Sequence, residues 1–329
     1  KSLLSIMLGC SMYRGCLSFL SANLKSLLLC KKTVYSGTWN NSSVLLGTDL
    51  LNMSLVLVTF LLPKNCLEGK CLKPQIFLNR ENMDILLTND DGIYAVGLRS
   101  MYKALVNAGH RVYVVAPHME QSAVGHAVTL SSPLRVKEVT EDGFRGWAIS
   151  GTPADCVKIA LGAVLGFKPD LIVSGINAGA NVGVDILYSG TVSAATEGAL
   201  AGMPALAVSI DHFQPTDLDE QATFAVDFVA GQRWADLPKR CVLNLNFPVQ
   251  GPDQWKGLKV CPQTQAVYND WYERRQDPRG SFYYWLCGEI PKEKVGQGTD
   301  RDLLSQGYVT LTPLRFDFNY WEVLANLSV

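Results

Sequence analysis

Asn89-Asp90-Asp91-Gly92 closes the short apolar run Asp84-Ile-Leu-Leu-Thr88 and puts two carboxylates on consecutive residues. Like charges a few ångströms apart raise one another's pKa, so such a pair stays ionised only beside a cation. A divalent metal would meet that need. Two more oxygen donors stand at comparable places: Ser122 follows the run Arg111-Val-Tyr-Val-Val-Ala116, and Asn177 follows Leu171-Ile-Val-Ser-Gly175. Two carboxylates, a hydroxyl and an amide oxygen form an all-oxygen shell, which selects a hard ion such as Mg²⁺, Mn²⁺ or Ca²⁺ over zinc. The chain has four histidines and no HExxH pattern, which also disfavours zinc. Each donor has a plainer use as well. Asn, Asp and Gly are turn and helix-cap residues, Ser122 could be an ordinary cap, and Asn177 could be a turn residue between glycines. Convergence on one sheet edge is what favours the metal site.

Anion chemistry is suggested by Tyr188-Ser189-Gly190-Thr191-Val192-Ser193, which precedes a helix rich in small residues. Backbone N–H groups at a helix start, with the Ser189 and Thr191 hydroxyls, can hold a phosphate. The alternative is that Ser189 or Thr191 simply caps the helix. Gly151-Thr152-Pro153-Ala154-Asp155 reads as a structural helix start with Pro in its first turn. His126, after Gly125, could touch the phosphate or leaving group, or be a packed or surface residue.

The elements that must position these groups alternate. Apolar strand-like runs begin at Asp84, Arg111, Leu171 and Ala205, and helical spacing fills residues 97–108, 154–165 and 192–201 between them. This rhythm predicts an α/β fold, a mainly parallel sheet with helices on both faces. In such sheets ligands bind beyond the carboxyl ends of the strands, where the polar loops described above gather. After Asn246 the pattern changes to aromatic-rich alternation, as in Ser281-Phe-Tyr-Tyr-Trp-Leu286 and Tyr308-Val-Thr-Leu-Thr312. These segments read as hairpin strands of a smaller subdomain or oligomerisation arm. The expected organisation is residues 1–82 as a leader or upstream extension, 83–246 as the metal- and phosphate-binding core, and 247–329 as the arm.

With 329 residues the chain can bury a large core, and a formal net charge of −1 gives no electrostatic reason to expect nucleic-acid binding. The average hides an asymmetry: residues 1–82 carry nine Lys or Arg against three acids, and residues 83–329 carry twenty against twenty-seven. Five of the nine cysteines also fall in the front part, and the other four show no CxxC or ligand spacing, which suits a reduced, cytoplasmic compartment. A targeting peptide or membrane anchor is the other reading of the front. Its apolar stretch, residues 55–62, is short of the roughly 20 residues a spanning helix needs, so no stable membrane association is expected.

Taken together, Asn89-Asp90-Asp91-Gly92-Ile93, Ser122 with Gly125-His126, Ser174-Gly175-Ile176-Asn177-Ala178-Gly179 with Asn181, and Tyr188-Ser189-Gly190-Thr191 closely resemble the motifs of the SurE family of 5′-nucleotidases. The resemblance runs from Met83 to about Leu327 and includes Asp277-Pro-Arg-Gly280, Tyr283-Tyr284-Trp285 and Gly298-Thr299-Asp300. It implies a Rossmann-like three-layer core and a C-terminal hairpin arm that makes homodimers or homotetramers. It also implies hydrolysis of nucleoside 5′-monophosphates, with short polyphosphate as a further substrate. The metal ligands it implies are Asp90, Asp91, Ser122 and Asn177, holding one divalent cation per subunit. Asp90 or Asp91 would orient the attacking water, and Asn89, Gly125, His126, Asn181, Ser189, Gly190 and Thr191 would line the phosphate site. Residues 1–82 and the pair Glu120-Gln121, where a basic residue is expected in many members, depart from the pattern.

Two rival readings bear on the same residues. A dinucleotide-dependent oxidoreductase needs a GxGxxG turn after its first strand, and Asn89-Asp-Asp-Gly92 would repel a pyrophosphate. A non-catalytic nucleotide sensor would keep the fold without needing the full set Asp90, Asp91, Ser122 and Asn177.

Overall fold

The computed structural model describes residues 82–141 and 143–327, so the expectations for the front part, Asn82 apart, lie outside the described residues. Strands are β1 (Asp84–Thr88), β2 (Arg111–Pro117), β3 (Val136–Glu141), β4 (Phe144–Ile149), β5 (Leu171–Ala178), β6 (Ala205–Ile210), β7 (Cys241–Phe247), β8 (Leu258–Val260), β9 (Asn269–Gln276), β10 (Phe282–Glu289) and β11 (Val309–Arg315). The α-helices are α1 (Val96–Asn107), α2 (Pro153–Ile159), α3 (Asp185–Tyr188), α4 (Gly190–Leu200), α5 (Asp219–Gly231), α6 (Asp300–Ser305) and α7 (Trp321–Asn326).

A nine-stranded sheet runs in the order β3-β4-β2-β1-β5-β6-β7-β11-β8. Strands β4, β2, β1, β5, β6 and β7 are mutually parallel, and β3 and β11 pair antiparallel to β4 and β7. Buried on both faces, the central strands are mainly apolar, with Ser174, Asn177, Ser209, Asn244 and Asn246 among the polar exceptions toward their ends, and their alternation feeds two cores. Ile85, Leu87, Val173 and Val208 pack with Leu98, Met101 and Leu105 of α1 and Ala222, Ala225 and Val226 of α5 on one side. Leu86, Ile172, Ala205 and Ala207 pack with Cys156 and Val157 of α2 and Ala194, Ala195 and Ala199 of α4 on the other. The result is the expected three-layer, Rossmann-like arrangement. The chain leaves β1 toward β2 on one side and later returns to β5 on the other, so β1 and β5 flank the topological switch point.

Two local features depart from the sequence reading. The run expected to stop at Gly175 continues to Ala178, with a register irregularity against β6 between Ser174 and Asn177. Such a bulge re-aims the residues beyond it, here Asn177, which pairs with Ser209. Only glycine suits position 175: its φ is +131°, and a β-carbon would stand 2.2 Å from the Val208 carbonyl oxygen. The second departure is the segment 308–312, expected as a hairpin strand. It belongs to β11 inside the main sheet, held by β7 through Thr310 opposite Asn246 and Leu311 opposite Leu245. The separate antiparallel ribbon is β9–β10 alone, with Trp271 opposite Cys287 and Tyr284 opposite Arg274.

Replacing Gly175 by Ala should lower stability by about 1–3 kcal/mol through backbone strain and overlap. Gly231→Ala, with open space around its β-carbon in α5, should leave stability unchanged or raise it by about 0.5–1 kcal/mol. Urea unfolding of the two variants checks the pair; equal midpoints would contradict the account of Gly175.

Candidate functional site

The loop after β1 is drawn into a tight turn by its own polar groups. The Asn89 amide donates to the Gly92 carbonyl at 2.9 Å, and the Ile93 N–H reaches the Pro117 carbonyl of β2 at 2.9 Å. This fixes Asp90 and Asp91 at the carboxyl edge between β2 and β5. Asp90 is 5% exposed and accepts hydrogen bonds from the Thr191 hydroxyl and the Thr191 N–H at the start of α4. That contact demands a residue without a side chain beside it. A β-carbon on Gly190 would stand 2.7 Å from Asp90 Cβ and 2.9 Å from its Oδ2. Asp91 turns the other way, its Oδ2 accepting the Ala178 N–H at the end of β5 at 3.0 Å.

Asn177 and Ser122 stand beside residues that contact the pair. Asn177 is the neighbour of Ala178, and its amide N–H group donates to the Gly179 carbonyl at 2.7 Å, leaving its oxygen as the outward acceptor. Ser122 is exposed and follows Gln121, whose N–H donates to the Asp90 carbonyl at 2.8 Å. The Ser122 hydroxyl gives its proton to Glu120 at 2.5 Å, which leaves oxygen lone pairs available. Among the described residues no group of three or more His, Cys, Asp or Glu could hold a metal.

Electrostatics favours a cation. Burial pushes the Asp90 carboxyl above its ordinary range despite the Thr191 bonds, with the nearby Glu120 charge adding to the rise. Burial, then the charges of Asp90 and Glu120, pushes Asp91 up to about 7. Among the described residues neither carboxylate has an ion-pair partner. Two unpaired acids backed by neutral oxygen donors fit a hard divalent ion.

The remaining expected residues divide. Ser189 caps α4, its hydroxyl oxygen accepting the Val192 N–H at 3.0 Å, and Gly190 and Thr191 form the helix start. The Gly125 N–H donates to the Tyr188 carbonyl at 2.9 Å, which brings the 118–130 loop against this helix start. Thr152 and Asp155 form a reciprocal capping box on α2, the structural role expected of that segment. Two residues are not where a phosphate contact needs them. Asn89 is fully buried with its amide N–H spent inside its turn, and the Asn181 amide donates to the Ser209 hydroxyl at 2.8 Å in a buried network. That network was not foreseen from sequence. Asn244 and Asn246 of β7 both donate to the Asn181 carbonyl, and Asn246 also accepts the Asn181 N–H. Glu197 was missed too: it receives His126 Nε2 at 2.8 Å and Lys158 at 2.8 Å. Those two partners hold its carboxyl below the usual range, against the effect of burial.

The fold and site define a doubly wound α/β protein with an acidic, oxygen-lined centre at the switch point of its sheet. The chain belongs to the SurE family: the family described as "Survival protein SurE" matches residues 85–270. It is 63% identical over 246 residues to a protein of Solidesulfovibrio magneticus named 5′-nucleotidase SurE, covering 75% of this chain and 96% of that one. A protein of the same name from Desulfovibrio desulfuricans is 52% identical over 251 residues, with 75% and 98% covered. The crystal structure of the SurE protein from Aquifex aeolicus superposes with a TM-score of 0.65 at 36% identity, covering 74% of this chain and 98% of that chain.

The raised Asp91 pKa makes a signed prediction for the chelator-treated protein. Ionising Asp91 costs stability in the fold, so its contribution is full below about pH 4 and is lost as the pH rises through about 7. The carboxyls held low, such as Asp155 and Glu197, act only on further acidification and do not overlap this window. The unfolding midpoint with chelator should fall between pH 5.5 and 8 by roughly 1–3 kcal/mol. Asp90, also pushed up by burial, adds to the same fall, so Asp91→Asn should remove part of it, and an identical slope in the variant would contradict the account.

Proposed function

We propose that this chain is a divalent-metal-dependent phosphomonoesterase that hydrolyses nucleoside 5′-monophosphates to nucleoside and phosphate, with short-chain polyphosphate as a further substrate. The observation that carries this is the Asp90-Asp91 pair, Asp90 buried and Asp91 half-buried, without an ion-pair partner among the described residues and set against the start of α4. It accepts the N–H groups of Gln121 and Ala178, the chain neighbours of Ser122 and Asn177, in a chain whose relatives are named 5′-nucleotidase.

Asp90, Asp91, Ser122 and Asn177 would hold one Mg²⁺, Mn²⁺ or Ca²⁺ ion. When bound, that ion supplies charge neutralisation for the phosphoryl group and lowers the pKa of a coordinated water. The protein's own groups do the rest. Asp90 is committed to Thr191 and acts as a fixed negative charge at the centre. Asp91 uses only Oδ2 on the backbone, so its Oδ1 is the oxygen available to take a proton from the attacking water. The Ser189 hydroxyl and the Gly190 N–H at the start of α4, with His126 on its Glu197 anchor, would hold phosphate oxygens, the electrostatic clamp phosphoryl transfer requires. Asn89 and Asn181 support this site through the turn and the strand ends rather than by touching substrate.

The β9–β10 ribbon, with Trp271, Tyr283 and Trp285 exposed on one face, suits assembly into a homodimer or homotetramer. No helix among the described residues is long and apolar enough to cross a membrane, and the cytoplasm is the compartment this reading assigns.

The test is phosphate release from nucleoside 5′-monophosphates, polyphosphate and an aryl phosphate, with added Mg²⁺ or Mn²⁺ and with chelator. Metal-dependent release from nucleotides is expected, and Asp91→Asn should lower kcat by about 10²–10⁴-fold while its circular dichroism stays native. Chelator-insensitive release, or full activity in the variant, would overturn the assignment.

A further inference from the structure

The loop after β6 carries Phe213, an aromatic ring 81% exposed at the carboxyl edge of the sheet. Its backbone is held on both sides. The Asp211 N–H donates to the Phe247 carbonyl at the end of β7, and the Gly179 N–H, just beyond β5, donates to the Ile210 carbonyl. The Gln214 N–H closes the far side of the turn on His212 Nδ1 at 3.1 Å. The ring lies against Gly179: a β-carbon there would stand 3.1 Å from Phe213 Cε1 and 3.3 Å from Cδ1. The same point is 3.9 Å from the Asn177 amide nitrogen. The exposed ring thus lies beside Gly179, whose carbonyl accepts the Asn177 amide, with room kept for it by the missing side chain at position 179.

A single exposed ring is common on a protein surface; this one is marked out by its contact with the Gly179 turn and by the hydrogen bonds that hold its loop. We infer that Phe213 is a specificity-determining residue, the platform on which the nucleobase stacks while the 5′-phosphate occupies the Asp90-Asp91 centre. This rests on the nucleotidase reading above and adds the part of the substrate that reading leaves unbound. A ring face recognises any base, so the residue sets a preference for nucleotides over phosphate esters lacking a base, without choosing strongly among bases.

Steady-state kinetics on a nucleoside 5′-monophosphate and on ribose 5-phosphate, with Mn²⁺, tests the inference. Base–aromatic stacking contributes a factor of about 5–100 in affinity, so Phe213→Ala should raise the nucleotide KM by that factor with kcat changed less than about twofold. The ribose 5-phosphate KM should move far less, and Phe213→Trp should keep the nucleotide KM near the wild-type value. Equal losses on both substrates, or an unchanged nucleotide KM in Phe213→Ala, would overturn the stacking role. So would a wild-type enzyme with no preference for the nucleotide, a result that leaves the phosphatase reading standing. Absence of metal-dependent release from either ester would instead remove the reading on which the inference rests.

Discussion

Two carboxylates on consecutive residues at the end of a buried strand repel each other, and the protein offers neither of them a Lys, Arg or His partner among its described residues. The surroundings hold the pair in that condition rather than relieving it. Thr191 binds Asp90 from one side, Ala178 binds Asp91 from the other, and Gly190 lets the α4 start come within contact of the acid. A fold that only needed a turn at this place could take an uncharged residue at either position. Retaining both charges costs stability, which makes sense where a cation restores it and is put to use.

The sheet topology explains why these groups can meet. Strands β1 and β5 are neighbours at the switch point, so their following loops leave in opposite directions and open a crevice between them. Asp90 and Asp91 occupy one wall and Asn177 the other. The bulge at Gly175 turns the end of β5, and the buried Asn181, Ser209, Asn244 and Asn246 network ties the ends of β5, β6 and β7 behind it. The bonds around Asn181 brace the far side of the crevice, although the buried Asn244 Oδ1 has no hydrogen-bond partner among the described residues.

Much of this was legible in sequence for identifiable reasons. Asp90-Asp91, Ser122 and Asn177 each follow an apolar run, and turn residues at strand ends carry a local signal. The helix start at Thr152-Pro153 was legible because its signal lies within a few consecutive residues. What could not be read depends on contacts far along the chain. The strand β11 alternates like a hairpin strand, and only its pairing with β7 places it in the main sheet. Gly175 looks like a strand stop, whereas its open φ permits the chain to bend and continue. Glu197 lies mid-helix with no sequence mark, and its link to His126 spans 71 positions. Asn89 and Asn181 sit inside genuine motif segments, yet their amides turn inward, a matter of packing rather than residue type.

The central claim is that Asp90 and Asp91 form a divalent-metal centre, and calorimetric titration of Mn²⁺ into the chelator-treated, dialysed full chain near neutral pH tests it most directly. The account predicts one saturable site per chain in the wild type and loss of that binding in Asp91→Asn, with the variant still folded. No saturable binding in the wild type, or an undiminished site in the variant, would contradict it.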